Sequence, residues 1–310
     1  MIAVFHSILP VFLIVALGWI LRRYEIVPES QWEGIELLGF WVLFPLLLFH
    51  ALFNINLDAL TVDSLMLAYL LALTGLLLLL FLAYLGRRTL GIDDAAYSSV
   101  FQTTSRWNGF IALAIMDNYA GSGGLAVVAL IMAITVVPLN VINILVLAHT
   151  AAGKPAGWGS TLATTARNPI IWGALAGLLC NLANVPVYEP MLESVELIAQ
   201  AGLGIGLLTV GAGLRIRSIF QPRREMWFGV VGKMLLFPLM VGTACLAFGI
   251  SGIELTAAVA CASVPTAMNG YIMARKMGGD APLYATTSAV QALLGLATIP
   301  LFLWISTRLG

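Results

Sequence analysis

Long apolar runs alternate with short polar ones along the whole chain. Ten runs approach the length of a spanning helix, roughly 20 mostly apolar residues. They cover 3–21, 35–53, 65–85, 96–116, 124–147, 168–184, 192–213, 226–248, 256–275 and 283–305. The connections are short, and the longest, near 148–167, carries the loop signals Gly153, Pro155, Gly157 and Gly159. The pattern predicts ten transmembrane helices and leaves no room for a soluble domain.

The distribution of Lys and Arg tests that count. The loops after spans one, three, five, seven and nine hold Arg22 and Arg23; Arg87 and Arg88; Lys154 and Arg167; Arg215, Arg217, Arg223 and Arg224; and Arg275 and Lys276. These are twelve of the fifteen basic residues, and the even-numbered loops hold none. Cytoplasmic loops collect Lys and Arg, so the odd loops are expected inside and both termini outside. A miscounted span would have scrambled the alternation. The start, Met-Ile-Ala-Val-Phe-His, lacks the basic region of a cleaved signal peptide, so the first run is expected to be a retained helix.

Composition narrows the class. Hydrophobic residues make up 60% of the chain and charged ones 10%, against about 25% charged in soluble domains. Mean hydropathy is +0.98, and a hydrocarbon surrounding forces each span to satisfy its own backbone. Formal net charge is zero, which gives no footing for nucleic acid as a partner. Cys180, Cys245 and Cys261 all fall in apolar runs without metal-ligand spacing, so neither a metal site nor a disulfide is expected. No HExxH, GxSxG or paired acids on one helical face occur, and no cofactor loop does either. An enzyme is not expected.

The two halves of the chain, 1–150 and 151–310, echo each other. Pro10 and Gly18 correspond to Pro169 and Gly177, Val27-Pro28 to Val185-Pro186, and Glu36-Leu37 to Glu196-Leu197. Asn108-Gly109 corresponds to Asn269-Gly270, and Val137-Pro138-Leu139 to Ile299-Pro300-Leu301. All offsets lie between 158 and 162 residues. Five helices per half is an odd number, so the second repeat is expected upside down relative to the first. Inverted repeats characterise alternating-access transporters, whose sites sit at mid-membrane where the repeats meet.

Two equivalent spans look interrupted. Span four is polar from Gln102 to Gly109, and span nine reads Ser263-Val264-Pro265-Thr266-Ala267-Met268-Asn269-Gly270. Pro265 removes a backbone donor and crowds the preceding turn. Paired breaks point to a binding site whose half-helix N-termini favour anions. Candidate substrate contacts are therefore Arg106, Asn108 and Asn269, together with Gln102, Pro265 and Thr266. Arg106 sits at mid-span, where a charge costs at least about 2.5–3.5 kcal/mol, and few acids are available at its depth, since Asp117, Glu193, Glu196 and Glu254 fall near the outer ends of spans. Lys233 and His50 are candidates for coupling or gating; snorkelling for Lys233 and plain helix packing for His50 are the competing readings. The glycines of span seven (Gly202, Gly204, Gly206, Gly211 and Gly213) suit close helix packing.

These features together resemble the auxin efflux carrier family. The residues that carry the resemblance are Asn168-Pro169-Ile170-Ile171, Val264-Pro265-Thr266-Ala267-Met268-Asn269-Gly270, and the ten spans with both termini outside. Bacterial members of that family include proteins described as malonate permeases. The resemblance implies an elevator-type fold with a scaffold and a transport domain, and spans four and nine crossing at a carboxylate site formed by Asn108 and Asn269. It also implies a bacterial inner membrane location and a homodimer. Span four departs from the family in carrying Ser105-Arg106-Trp107 where a proline is usual, and the long cytoplasmic loop of the plant carriers is missing. The expected function is secondary transport, active or facilitated, of a small organic anion such as a mono- or dicarboxylate. The alternatives are a cation-coupled symporter or exchanger of the bile-acid or antiporter type, which needs a buried acid, and a membrane sensor that binds without transporting.

Overall fold

The computed structural model describes residues 2–56, 62–150, 169–220 and 222–309. Among these, the regular structure is helical throughout. The helices are α1 (Ile2–Arg23), α2 (Glu29–Phe53), α3 (Val62–Gly86), α4 (Asp94–Ser105), α5 (Gly109–Thr150) and α6 (Pro169–Leu182). They continue with α7 (Glu189–Gly213), α8 (Arg224–Ala247), α9 (Gly252–Ser263), α10 (Asn269–Met277) and α11 (Ala281–Leu309). Seven helical stretches are long and apolar enough to cross a membrane, and two shorter apolar helices, Pro169–Leu182 and Gly252–Ser263, accompany them. One stretch, Asp94–Thr150, holds two passes, because the backbone at Gly121 leaves helical geometry at φ 60° and ψ −151°. That combination is open essentially only to glycine. The protein is an all-α membrane protein with ten passes among the described residues. Residues 151–168, which hold Lys154, Arg167 and Asn168 and most of the loop expected near 148–167, lie outside them.

Most span boundaries fall within a few residues of the hydropathy reading. Span two is the exception. Its helix begins at Glu29 rather than 35, because Glu29-Ser-Gln-Trp-Glu-Gly is helical but too polar to register as apolar. Trp32 is buried there and its indole N–H donates to the Val27 carbonyl at 3.1 Å.

Helices α2 and α8 each contain one π turn, at Gly39–Leu43 and Gly232–Leu236. Both precede a Phe-Pro pair, Phe44-Pro45 and Phe237-Pro238. Proline lacks the N–H that would continue the ladder and its ring crowds the carbonyl four residues back. The chain accommodates it by one wider turn, in which the Phe44 N–H donates to the Gly39 carbonyl and that of Phe237 to Gly232.

Packing divides the helices into two groups. In one, α1 lies against α7, and α2 against α6 and α7. These contacts are close because glycine meets backbone: a Cβ at Gly211 would overlap the Val15 carbonyl, and one at Gly173 that of Pro45. In the other, α9 packs on α5, α8 and α11, while α3 packs on α8. The basic loops after spans one, three, seven and nine converge at one end. Arg22 donates to the Ala212 carbonyl at 2.7 Å, Arg223 pairs with Asp280 at 2.5 Å, and Arg224 donates to the Gly91 carbonyl at 3.4 Å.

Candidate binding site at the helix crossing

Spans four and nine both break in the middle of the molecule. In span four, α4 ends at Ser105, and Arg106 is extended at φ −77° and ψ 155°. In span nine, α9 ends at Ser263, and Val264 is extended at φ −68° and ψ 152°. Pro265 accounts for the second break. The first has no proline and is held from outside: the Asn108 N–H donates to the Pro265 carbonyl at 2.8 Å. Asn108 then caps the next half-helix, its Oδ1 accepting from the Ile111 N–H at 3.3 Å. The helix resumes at Gly109 in one span and at Asn269 in the other.

Arg106 crosses from one break to the other. One guanidinium nitrogen donates to Asn140 Oδ1 at 2.8 Å and to Asn269 Oδ1 at 3.1 Å, and the other to Met273 Sδ at 3.3 Å. The residue is only 5% exposed. Among the described residues Arg106 has no ion pair, and no buried charged side chain is acidic. A full positive charge is thus held by neutral acceptors alone.

That charge borders a cavity of about 670 Å³ between the two helix groups. Phe40 and Phe44 of α2 and Thr209 and Val210 of α7 form one wall. Arg106, Asn108, Asn269 and the first residues of the two resumed half-helices form the other. Phe44 meets Phe110 across the space with ring centroids 4.0 Å apart. Arg22, Arg215 and Arg275, from the converging basic loops, line the same cavity with Glu33 and Glu36. The cavity therefore reaches the arginine-rich end, and both half-helix N-termini bring their positive dipole ends to it.

The sequence-derived candidates separate into two sets. Arg106, Asn108 and Asn269 line the cavity. Thr266 and Gln102 are buried behind the crossing: Thr266 Oγ1 lies 3.0 Å from the Tyr284 hydroxyl, and its N–H donates to Gln291 Oε1 at 2.9 Å. Pro265 contributes its carbonyl to Asn108. Lys233 lies fully buried in the π turn of α8, and His50 sits half-buried near the end of α2 with its carbonyl bonded by Asn54. Neither lines the cavity. Two residues that sequence reasoning passed over matter here. Asn140 holds Arg106, and the Gln291 amide nitrogen bridges the Thr103 and Gly229 carbonyls at 3.0 and 2.9 Å. A lone amide in an apolar span is the only signal either gave.

Sequence comparison matches residues 3–156 and 158–303 to the family described as membrane transport protein. "Uncharacterized transporter YfdV" of Escherichia coli is 25% identical, over 97% of this chain and 96% of its own. Auxin efflux carrier component 6 of Arabidopsis thaliana is 25% identical over 44% of this chain and 25% of its own. A Rhizobium meliloti protein carrying the name "Putative malonate transporter" is 25% identical over 44% of this chain and 43% of its own.

Proposed function

The chain belongs to the membrane transport protein family, in which its relatives include auxin efflux carriers, and from that premise we propose that it carries a small organic anion, a mono- or dicarboxylate, through the crossing of spans four and nine. The observation that carries this reading is the unpaired Arg106 at the cavity wall. A buried cation with only amide and sulfur partners has unused capacity for a charged acceptor, and the planar fork of a guanidinium matches a carboxylate. Asn108 and Asn269 flank it with groups able to donate and accept. The half-helix N-termini add partial positive charge without a mobile ion. A cavity of this size holds a small acid with room to spare.

The same reading supplies a movement. The cavity lies between two helix groups, so sliding the crossing past α1, α2, α6 and α7 would carry a bound anion from one side to the other. Inverted five-helix repeats give such a carrier two related end states. With the basic loops inside, the present cavity faces the cytoplasm. The bile-acid or antiporter alternative needs a buried acid near the crossing, and the described residues supply none. The name of the Rhizobium relative makes malonate the first acid to try.

The experiment is counterflow in proteoliposomes. Vesicles preloaded with unlabelled malonate should take up labelled malonate and be blocked by other small acids. Binding without exchange, for every acid in the panel, would replace the carrier by a sensor.

A further inference from the structure

Outside the cavity lining lies a buried charged side chain that anion binding does not use. Lys233 is fully buried, and its Nζ has no hydrogen-bond partner and no ion pair among the described residues. The Phe237 ring faces it, with its centroid 4.7 Å from Nζ. Attraction to a single aromatic face is smaller than the desolvation penalty of an ammonium. The side chain relieves that penalty by releasing its proton, or by meeting an acceptor when the surrounding helices move.

Those helices are the ones that form the crossing. The π turn that holds Lys233 packs against α4, α9 and α11. One turn before it, the Gly229 carbonyl is tied through Gln291 to the Thr103 carbonyl near the end of α4. Gly232 lies against Thr104, where a Cβ would sit 2.7 Å from Cγ2. Lys233 is thereby at the level where α4 ends and the crossing begins. Half-helix C-terminal ends of this kind favour a cation, a proton included. Two more buried polar groups are unpartnered among the described residues, the Gln102 amide on α4 and the Tyr69 hydroxyl on α3.

Few groups compete with Lys233 for a proton. Cys261, on the adjacent α9, is fully buried. Tyr69 of α3 lies beyond Phe237, its ring 5.9 Å from that ring. Tyr284 of α11 is held by the Ala267 carbonyl and Thr266. Beyond the end of α4, Arg106 is turned to Asn140 and Asn269. Cys245, on α8 itself, is buried.

We propose that Lys233 is the proton-coupling group of this carrier: its amine takes a proton from one aqueous side and returns it to the other, once per transport cycle. The proton adds to the Nζ lone pair and leaves from it, with no other bond changed. The inference rests on the carrier reading and adds to it a driving ion and a residue that handles it.

The test uses the full chain in proteoliposomes with the membrane potential clamped, comparing wild type with Lys233→Met and Lys233→Arg. Methionine removes the proton site, and arginine keeps a charge that does not leave. Wild type should accumulate malonate about tenfold for each pH unit of imposed gradient, the limit for one coupled proton, with proton movement seen by an entrapped pH dye. Both variants should keep malonate counterflow, which needs no net proton transfer, and lose accumulation and the dye signal. If one variant fails to fold, the other decides. Accumulation without proton movement in wild type, or proton-coupled accumulation in a folded variant, overturns the proposal and leaves the carrier standing. Absence of counterflow in wild type for every acid overturns the carrier reading, and the coupling with it.

Discussion

The backbone N–H of Asn108 donates to the carbonyl of Pro265 at 2.8 Å, joining the two interrupted spans where they cross. The bond explains how span four breaks without a proline. Once Asn108 is committed across the crossing, the helix stops, Arg106 is extended and the next half-helix starts afresh. The guanidinium of Arg106 then lies between Asn140 and Asn269 at the cavity wall. One proline thus shapes both breaks, directly in span nine and through its carbonyl in span four.

Substitution of Arg106 separates its charge from its shape. Hydrogen bonds to charged groups contribute about 1.5–3 kcal/mol, so Arg106→Gln is expected to weaken anion binding roughly ten- to a hundredfold. Arg106→Lys keeps the charge but loses the planar fork and should fall between the two. Competition binding on detergent-purified protein checks both, with size exclusion as the control for folding.

Asn140→Asp is a sharper probe, because it hands Arg106 the carboxylate that it lacks. With Asn140 Oδ1 2.8 Å from the guanidinium, the new acid would form an internal ion pair and compete with the substrate. Anion affinity should fall while thermal stability holds or rises. Unchanged affinity in this variant would mean that the substrate does not meet Arg106.

Gln291 lies within the α11 stretch Ser288-Ala-Val-Gln-Ala-Leu-Leu, yet it holds three backbone groups, the Thr266 N–H and the Thr103 and Gly229 carbonyls. Gln291→Leu orphans the Thr266 N–H and the Thr103 carbonyl at a cost of about 1–3 kcal/mol each in a buried setting, while the Gly229 carbonyl keeps its bond from the Gly232 N–H. A clear loss of thermal stability is expected, larger than for Gln200→Leu, which removes an exposed amide bonded to Glu196. Melting followed by a thiol-reactive or intrinsic fluorescence readout measures the difference.

Two glycines of α7 should respond with opposite signs. A Cβ at Gly211 would overlap the Val15 carbonyl, whereas one at Gly204 meets nothing. Gly211→Ala is therefore expected to destabilise by about 1–3 kcal/mol through overpacking. Gly204→Ala should be neutral or gain up to about 1 kcal/mol of helix propensity. The pair checks the α1–α7 contact independently of any substrate.

What the sequence revealed follows from which forces are local. Hydropathy and the alternation of basic loops reflect the bilayer directly, so the ten passes were legible, as were the polar stretch from Gln102 and the Pro265 break. The start of α2 was hidden because an interfacial turn need not be apolar. Asn140 and Gln291 were hidden because an isolated amide in an apolar run says nothing of its partner until the spans are packed. The π turn beneath Lys233 had a readable cause in Pro238, but the lack of a partner for Lys233 among the described residues is a property of its neighbours on α4, α9 and α11.

The most direct measurement is uptake of labelled malonate into proteoliposomes holding wild type or Arg106→Gln, with a neutral amide analogue run in parallel. Saturable uptake of the acid, absent for the amide and abolished in the folded variant, is the expected result. Equal uptake of acid and amide, or undiminished uptake by Arg106→Gln, would contradict an anion carrier built around Arg106.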